Sequence, residues 1–280
     1  MPKAKVNGIE IAYQVHGEGE PLVIAHGYTA SKEMWDSQIG AFSQRYRVVV
    51  YDVRGHGESE APPVDDPSYT LNTLVEDQRA LLGHLGIERA LVGGLSLGGM
   101  IAMRFALKYP AMVRALLLCD TSPGMGTAGQ WSGNRLVMEG IVRSQGVGAV
   151  MRGLYAARAG AMGIQRPEQV PQGVLAHVQR WERMTADGFL GVASAAGDQV
   201  SVLDRLAEIT APTLIITGDQ DFFRGASEEM AKRMPGARFV VINGSFHGTC
   251  LWQPDKFTSA VLDFLADVEA GRPVAGREER

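Results

Sequence analysis

Two cysteines in 280 residues, Cys119 and Cys250, are too few for a disulfide framework and lie at no metal-ligand spacing. No apolar run approaches the ~20 residues of a spanning helix. The first residues, Met1-Pro-Lys-Ala-Lys-Val-Asn-Gly8, lack the apolar stretch of a secretory signal. Excess positive charge is also missing. With 27 Lys+Arg against 31 Asp+Glu, the chain is mildly acidic and gives no reason to expect nucleic acid or an anionic membrane as partner. Internal repeats are absent. What remains is a globular chain, long enough for one large domain with an insertion, and a cytoplasmic protein with reduced thiols is the expectation.

Glycine is abundant, and its placement is informative. Val92-Gly-Gly-Leu-Ser96-Leu-Gly98-Gly99 sets a serine between Gly94 and Gly98 where an apolar strand, Arg89-Ala-Leu-Val-Gly, gives way to a helix running from Gly99 to Tyr109 and stopped by Pro110. A serine on so tight a corner has strained backbone and needs neighbours without a Cβ. The turn holds the hydroxyl clear of the sheet, and the helix N-terminus aims backbone N–H groups at whatever is attacked. A plain glycine-rich connection with an N-capping serine would read similarly.

The surroundings favour a nucleophile. Asn7-Gly8 predicts a hairpin. Pro21-Leu-Val-Ile-Ala, Tyr46-Arg-Val-Val-Val-Tyr, Arg114-Ala-Leu-Leu-Leu-Cys, Pro212-Thr-Leu-Ile-Ile-Thr and Ala237-Arg-Phe-Val-Val-Ile read as strands covered on both faces. Helices are predicted around Glu33–Ser43 and Leu71–Leu85. This alternation means an α/β fold: a mostly parallel sheet with helices on both faces. Residues 122–199 break the rhythm with helical patches and large apolar residues, among them Met125, Trp131, Met138, Met151, Tyr155, Met162, Trp181 and Met184. This stretch reads as an inserted helical lid. Residues 1–121 and 200–270 make the core, and 271–280 read as a disordered, solvated tail.

An active serine needs a base, and the base an orienting acid. In a parallel sheet both belong on loops at the carboxyl ends of strands. Asp221 follows the Leu214–Thr217 strand and His247 follows the Phe239–Ile242 strand, giving the chain order Ser, Asp, His. Asp219 and Asp120, which ends the Arg114–Cys119 strand, compete for the acid's role.

Four segments carry a family resemblance: Gly94-Leu-Ser96-Leu-Gly98-Gly99-Met; His26-Gly27-Tyr28 after a strand; the turn Asp52-Val-Arg54-Gly55-His56-Gly57-Glu-Ser59; and the Asp221 and His247 loops. Across residues 5–268 the chain resembles small lidded α/β-hydrolases of the 3-oxoadipate enol-lactonase and carboxylesterase type. The resemblance implies a Ser96–His247–Asp221 triad, with family spacing preferring Asp221 to Asp219, and an oxyanion hole from the N–H groups of Tyr28 and Leu97. A substrate pocket is expected from His26, Met125, Trp131, Trp181 and Phe222. Arg54 is expected to brace the turn at Gly55, with a carboxylate-binding role as alternative. His16, His84 and His177 read as ordinary strand-end and helix-face residues, and Cys250 shows no sign of being a nucleophile.

Serine at the nucleophile position excludes the aspartate-dependent dehalogenase and epoxide-hydrolase branches, and Leu97 argues against the iminopeptidase branch, which carries tryptophan there. The expected activity is hydrolysis of a small, largely apolar ester or lactone through an acyl-enzyme, with no cofactor and no metal. Carbon–carbon hydrolysis of meta-cleavage products, a perhydrolase or haloperoxidase-like activity, and a ligand-binding receptor are the alternatives.

Overall fold

Strand and helix alternate as the apolar runs dictate. The computed structural model describes residues 1–124, 130–161, 163–164, 167–197 and 200–280, with side chains undescribed at 130–136, 157–159, 161 and 167. A hairpin of β1 (Lys3–Val6) and β2 (Ile9–His16) turns at Asn7 and Gly8, whose φ values of 46° and 83° suit these two residue types. Then follow β3 (Glu20–Ala25), α1 (Asp36–Phe42), β4 (Tyr46–Tyr51), α2 (Leu71–His84), β5 (Ala90–Leu95), α3 (Leu97–Lys108) and β6 (Val113–Cys119). Among the described residues, four α-helices lie between β6 and the next strand: α4 (Gln130–Gln145), α5 (Val147–Ala161), α6 (Gln172–Arg180) and α7 (Ala186–Gly197). The chain closes with β7 (Thr213–Gly218), α8 (Arg224–Arg233), β8 (Arg238–Ile242), α9 (Thr249–Trp252), α10 (Pro254–Glu269) and β9 (Gly276–Glu279).

The strands form one sheet in the order β1-β2-β4-β3-β5-β6-β7-β8-β9. β1 and β2 are antiparallel additions, and every pairing from β4 to β9 is parallel. Every residue of β5, β7 and β8 is buried, as continuous apolar runs require when helices cover both faces. One apolar layer joins the sheet to α2 and α3, and the other joins it to α1 and α10. A smaller cluster of Val142, Val147, Phe189 and Leu190 packs α4, α5 and α7 together against Tyr28.

Local chemistry sets the helix ends. Thr70 Oγ1 accepts the Thr73 N–H at 3.1 Å to cap α2, and Pro254 occupies the first turn of α10, where its missing N–H costs nothing. The helix expected at Glu33–Ser43 begins as a 3₁₀ turn over Lys32–Trp35 and continues as α1.

The tail differs from expectation. Gly276–Glu279 is an ordered edge strand, paired in parallel with β8 through Gly276 N–H to the Ala237 carbonyl (3.3 Å) and Arg280 N–H to the Val241 carbonyl (2.9 Å). Arg280 also meets Asp263 and Glu278, each at 2.8 Å. The signal was absent because the sequence there is charged, as edge strands commonly are, and backbone pairing carries no side-chain signature. Among the described residues, no helix is long and apolar enough to cross a membrane.

Candidate active site

The β5–α3 corner places Ser96 at φ 55°, ψ −112°, a conformation that L side chains rarely adopt. Glycine permits it: a Cβ on Gly94 would strike the Gly98 backbone, and one on Gly98 would strike the Ala25 carbonyl oxygen. The corner is tied down on both sides, by Ser96 N–H to the Cys119 carbonyl (2.9 Å) and by Thr121 Oγ1 to the Ser96 carbonyl (2.7 Å). The serine hydroxyl is left on the wall of a cavity of about 680 Å³.

His247 lies on the same wall, in the loop after β8. Its Nδ1 is 3.0 Å from Asp221 Oδ1, so the N–H on that nitrogen donates to the carboxylate. Asp221 also accepts the Phe223 N–H at 2.9 Å and the Thr217 hydroxyl at 3.3 Å. Burial pushes its carboxyl up, but the hydrogen bond and charge of His247, a hydrogen bond with Asp120 and the Phe223 N–H outweigh it and hold Asp221 below the usual carboxylate range.

Each competing acid has another task. Asp219 Oδ1 accepts the Ser245 N–H at 2.9 Å and so braces the loop that carries His247. Asp120 is fully buried at φ 43°, with one oxygen accepting the N–H and hydroxyl of Thr249, both at 2.7 Å, and the other the Gly218 N–H at 3.2 Å. Burial, then the charge of Asp221 and a hydrogen bond with it, push Asp120 well up, in the opposite direction to Asp221.

The loop after β3 approaches the elbow closely: a Cβ built on Gly27 would lie 3.5 Å from the Ser96 Cβ. Leu97 N–H belongs to the first turn of α3, where no intrahelical acceptor exists, and the Tyr28 N–H goes to no carbonyl among the described residues. The Tyr28 phenol donates to the Phe189 carbonyl at 2.7 Å, fastening this loop to α7.

His26 does not reach the cavity, contrary to expectation. It is fully buried, with Nδ1 at 2.8 Å from the Gly27 carbonyl and Nε2 accepting the Val53 N–H at 2.9 Å. His56 repeats the arrangement, 3.2 Å from the Arg54 carbonyl and accepting the Thr29 N–H at 3.2 Å. An imidazole nitrogen that accepts a backbone N–H must be unprotonated, and burial lowers the two pKa values to about 4 and about 3. Because the unfolded chain binds these protons near pH 6.5 and the folded chain does not, stability should fall as pH drops from about 6.5 towards about 4. In urea titrations across this range, His56→Gln should flatten the dependence by up to ~1.4 kcal/mol per pH unit. An unchanged slope would remove His56 from this role.

Arg54 grips Asp77 through two nitrogens, each bond 2.8 Å, so it braces the turn and is spent for carboxylate binding. Asp52 takes the Lys32 ammonium at 2.8 Å in a fully buried pair, and Ser59 Oγ closes on the Asp52 carbonyl at 2.6 Å. The Asp52–Ser59 motif is therefore scaffold for the loops around the elbow.

Of the expected pocket residues, Trp181 and Phe222 line the cavity, with the Phe222 ring 4.3 Å from that of His247. Met125 and the Trp131 side chain lie outside the described residues. His177, read from sequence as an ordinary helix-face residue, also faces the cavity from α6. Only the docking of α6 against α5 and α9 reveals it, because its helical spacing matches any surface histidine. No cluster of three potential metal ligands occurs among the described residues.

A serine elbow, a His–Asp pair on adjacent strand ends and a covered cavity on a mostly parallel sheet define a hydrolase of the α/β type. The chain belongs to the alpha/beta hydrolase fold family, whose model matches residues 20–254. It is 30% identical to a non-heme haloperoxidase of Rhodococcus erythropolis over 92% of this chain and 97% of that protein. A thermophilic esterase from Thermogutta terrifontis superposes with a TM-score of 0.84 at 28% identity, covering 96% of this chain and 99% of that one. The enol-lactonase from Burkholderia xenovorans superposes with a TM-score of 0.80 at 27% identity, covering 95% and 100%.

Proposed function

We propose that this hydrolase cleaves a carboxylic ester or lactone of a small, largely apolar substrate through an acyl-enzyme on Ser96. The observation that carries the reading is the convergence of Ser96 and the Asp221-held His247 on one apolar cavity. His247 takes the Ser96 proton as the hydroxyl attacks the carbonyl, and Asp221 steadies the imidazolium. The N–H groups of Leu97 and Tyr28 hold the oxyanion, and water then releases the acid. Relatives described as an esterase and an enol-lactonase support the same class of reaction. A hydrolysis screen of aryl esters, aliphatic esters and lactones, with Ser96→Ala as blank, tests it. Turnover of none of the three, or turnover equal in the blank, would overturn it.

In this reading residues 122–199 form a lid that selects the substrate. Trp181 is 4% exposed and forms part of the cavity wall, edge-on to Tyr155. Trp181→Ala should therefore shift the preference between short and long acyl esters by roughly tens to hundreds of fold, in favour of the long. A kcat/KM series over acyl length checks this, and an unchanged ranking would place the selection elsewhere.

A further inference from the structure

None of the described residues on the cavity wall is Asp, Glu, Lys or Arg, and Met34, Met100, Met138, Met151, Leu154 and Val174 make much of its surface. Against this apolar lining stands an imidazole that the proposed chemistry does not use. His177 reaches the cavity from α6, and its ring nitrogens make no hydrogen bond to any described residue. Burial, then the charges of Arg180 and His247, hold its pKa down to about 4, so the imidazole is neutral near pH 7 and offers one donor and one acceptor. The ring is fixed edge-on to Trp181, with centroids 5.4 Å apart and planes at 74°. Trp181 and Tyr155 line the same cavity, and their Nε1 and OH are buried with no partner among the described residues. An unmet buried donor is a cost that a bound acceptor offsets.

We propose that His177 is a second recognition point in the cavity, taking a neutral hydrogen-bonding group of the substrate such as a ketone, hydroxyl or amide away from the scissile carbonyl. The inference rests on the reading of Ser96 as nucleophile and narrows it. The preferred substrate is an uncharged ester or lactone with an internal polar group. A substrate carboxylate would enter an apolar space where the described wall supplies no cation, and burying an unpaired charge is disfavoured.

The test compares 4-nitrophenyl heptanoate, its derivatives with a ketone moved along the chain, and the half-ester that ends in a carboxylate. His177→Ala should lower the ratio of kcat/KM for the best keto ester over the plain ester by about tenfold, and His177→Gln, which keeps a donor and an acceptor, should restore part of it. The carboxylate half-ester should be the poorest substrate of the wild-type enzyme. A purely structural role would slow all esters alike and leave the ratio unmoved. Loss of turnover in Ser96→Ala together with an unmoved ratio in both His177 variants overturns this inference alone. A wild-type preference for the carboxylate does the same. Retained turnover in Ser96→Ala overturns both readings.

Discussion

Replacing Ser96 by alanine should reduce ester turnover by roughly 10⁴–10⁶-fold while leaving the circular dichroism spectrum and melting temperature close to wild type. The expectation follows from the corner itself. Its strain is borne by the backbone at φ 55° and by the missing Cβ atoms of Gly94 and Gly98, none of which the substitution alters. Only the hydroxyl on the cavity wall is lost. His247→Ala should be comparably severe, and the double variant no worse than either, because the two side chains act as one unit. Steady-state rates on a 4-nitrophenyl ester provide the measurement. A folded Ser96→Ala protein with a substantial fraction of wild-type turnover would show that the elbow is not the nucleophile.

The second large effect concerns the acid. Asp221→Asn should slow turnover by about 10⁴-fold, since an amide at this position favours the wrong imidazole tautomer and cannot stabilise the imidazolium. Asp219→Asn should be mild: its oxygen holds the Ser245 N–H at 2.9 Å, a contact the amide oxygen can keep. Asp120 turns its oxygens to Thr249 and the Gly218 N–H, and no hydrogen bond joins it to His247 among the described residues. Asp120→Asn should therefore retain far more activity than Asp221→Asn. Rates of the three variants on one ester, with melting temperatures to exclude unfolding, decide the ranking. If Asp219→Asn or Asp120→Asn were the most damaged, the acid would have to be moved to that residue.

Much of this architecture was legible because the relevant signals are local. Continuous apolar runs marked the parallel strands, Asn7-Gly8 marked the hairpin, and Gly94 and Gly98 marked a corner on which a side chain cannot fit. What failed to appear depends on contacts between distant segments. The charged residues of β9 conceal an edge strand whose stability lies in backbone pairing to β8. The preference for Asp221 over Asp219 came from resemblance, whereas the structure separates the two by the loop that turns one carboxylate to His247 and the other to Ser245. His26 was near the site in sequence terms, yet its imidazole folds back onto Gly27 and Val53. His177 was distant in sequence and reaches the cavity only because α6 packs over it.

Covalent capture of the nucleophile is the most direct measurement of the central claim. Treatment with an alkyl fluorophosphonate, followed by intact mass and peptide mapping, should add one phosphonyl group per chain. The adduct should lie on Ser96, appear in step with loss of ester turnover, and be absent from the His247→Ala protein. Complete inactivation with the adduct on another residue, or full turnover in a protein wholly modified at Ser96, would contradict it.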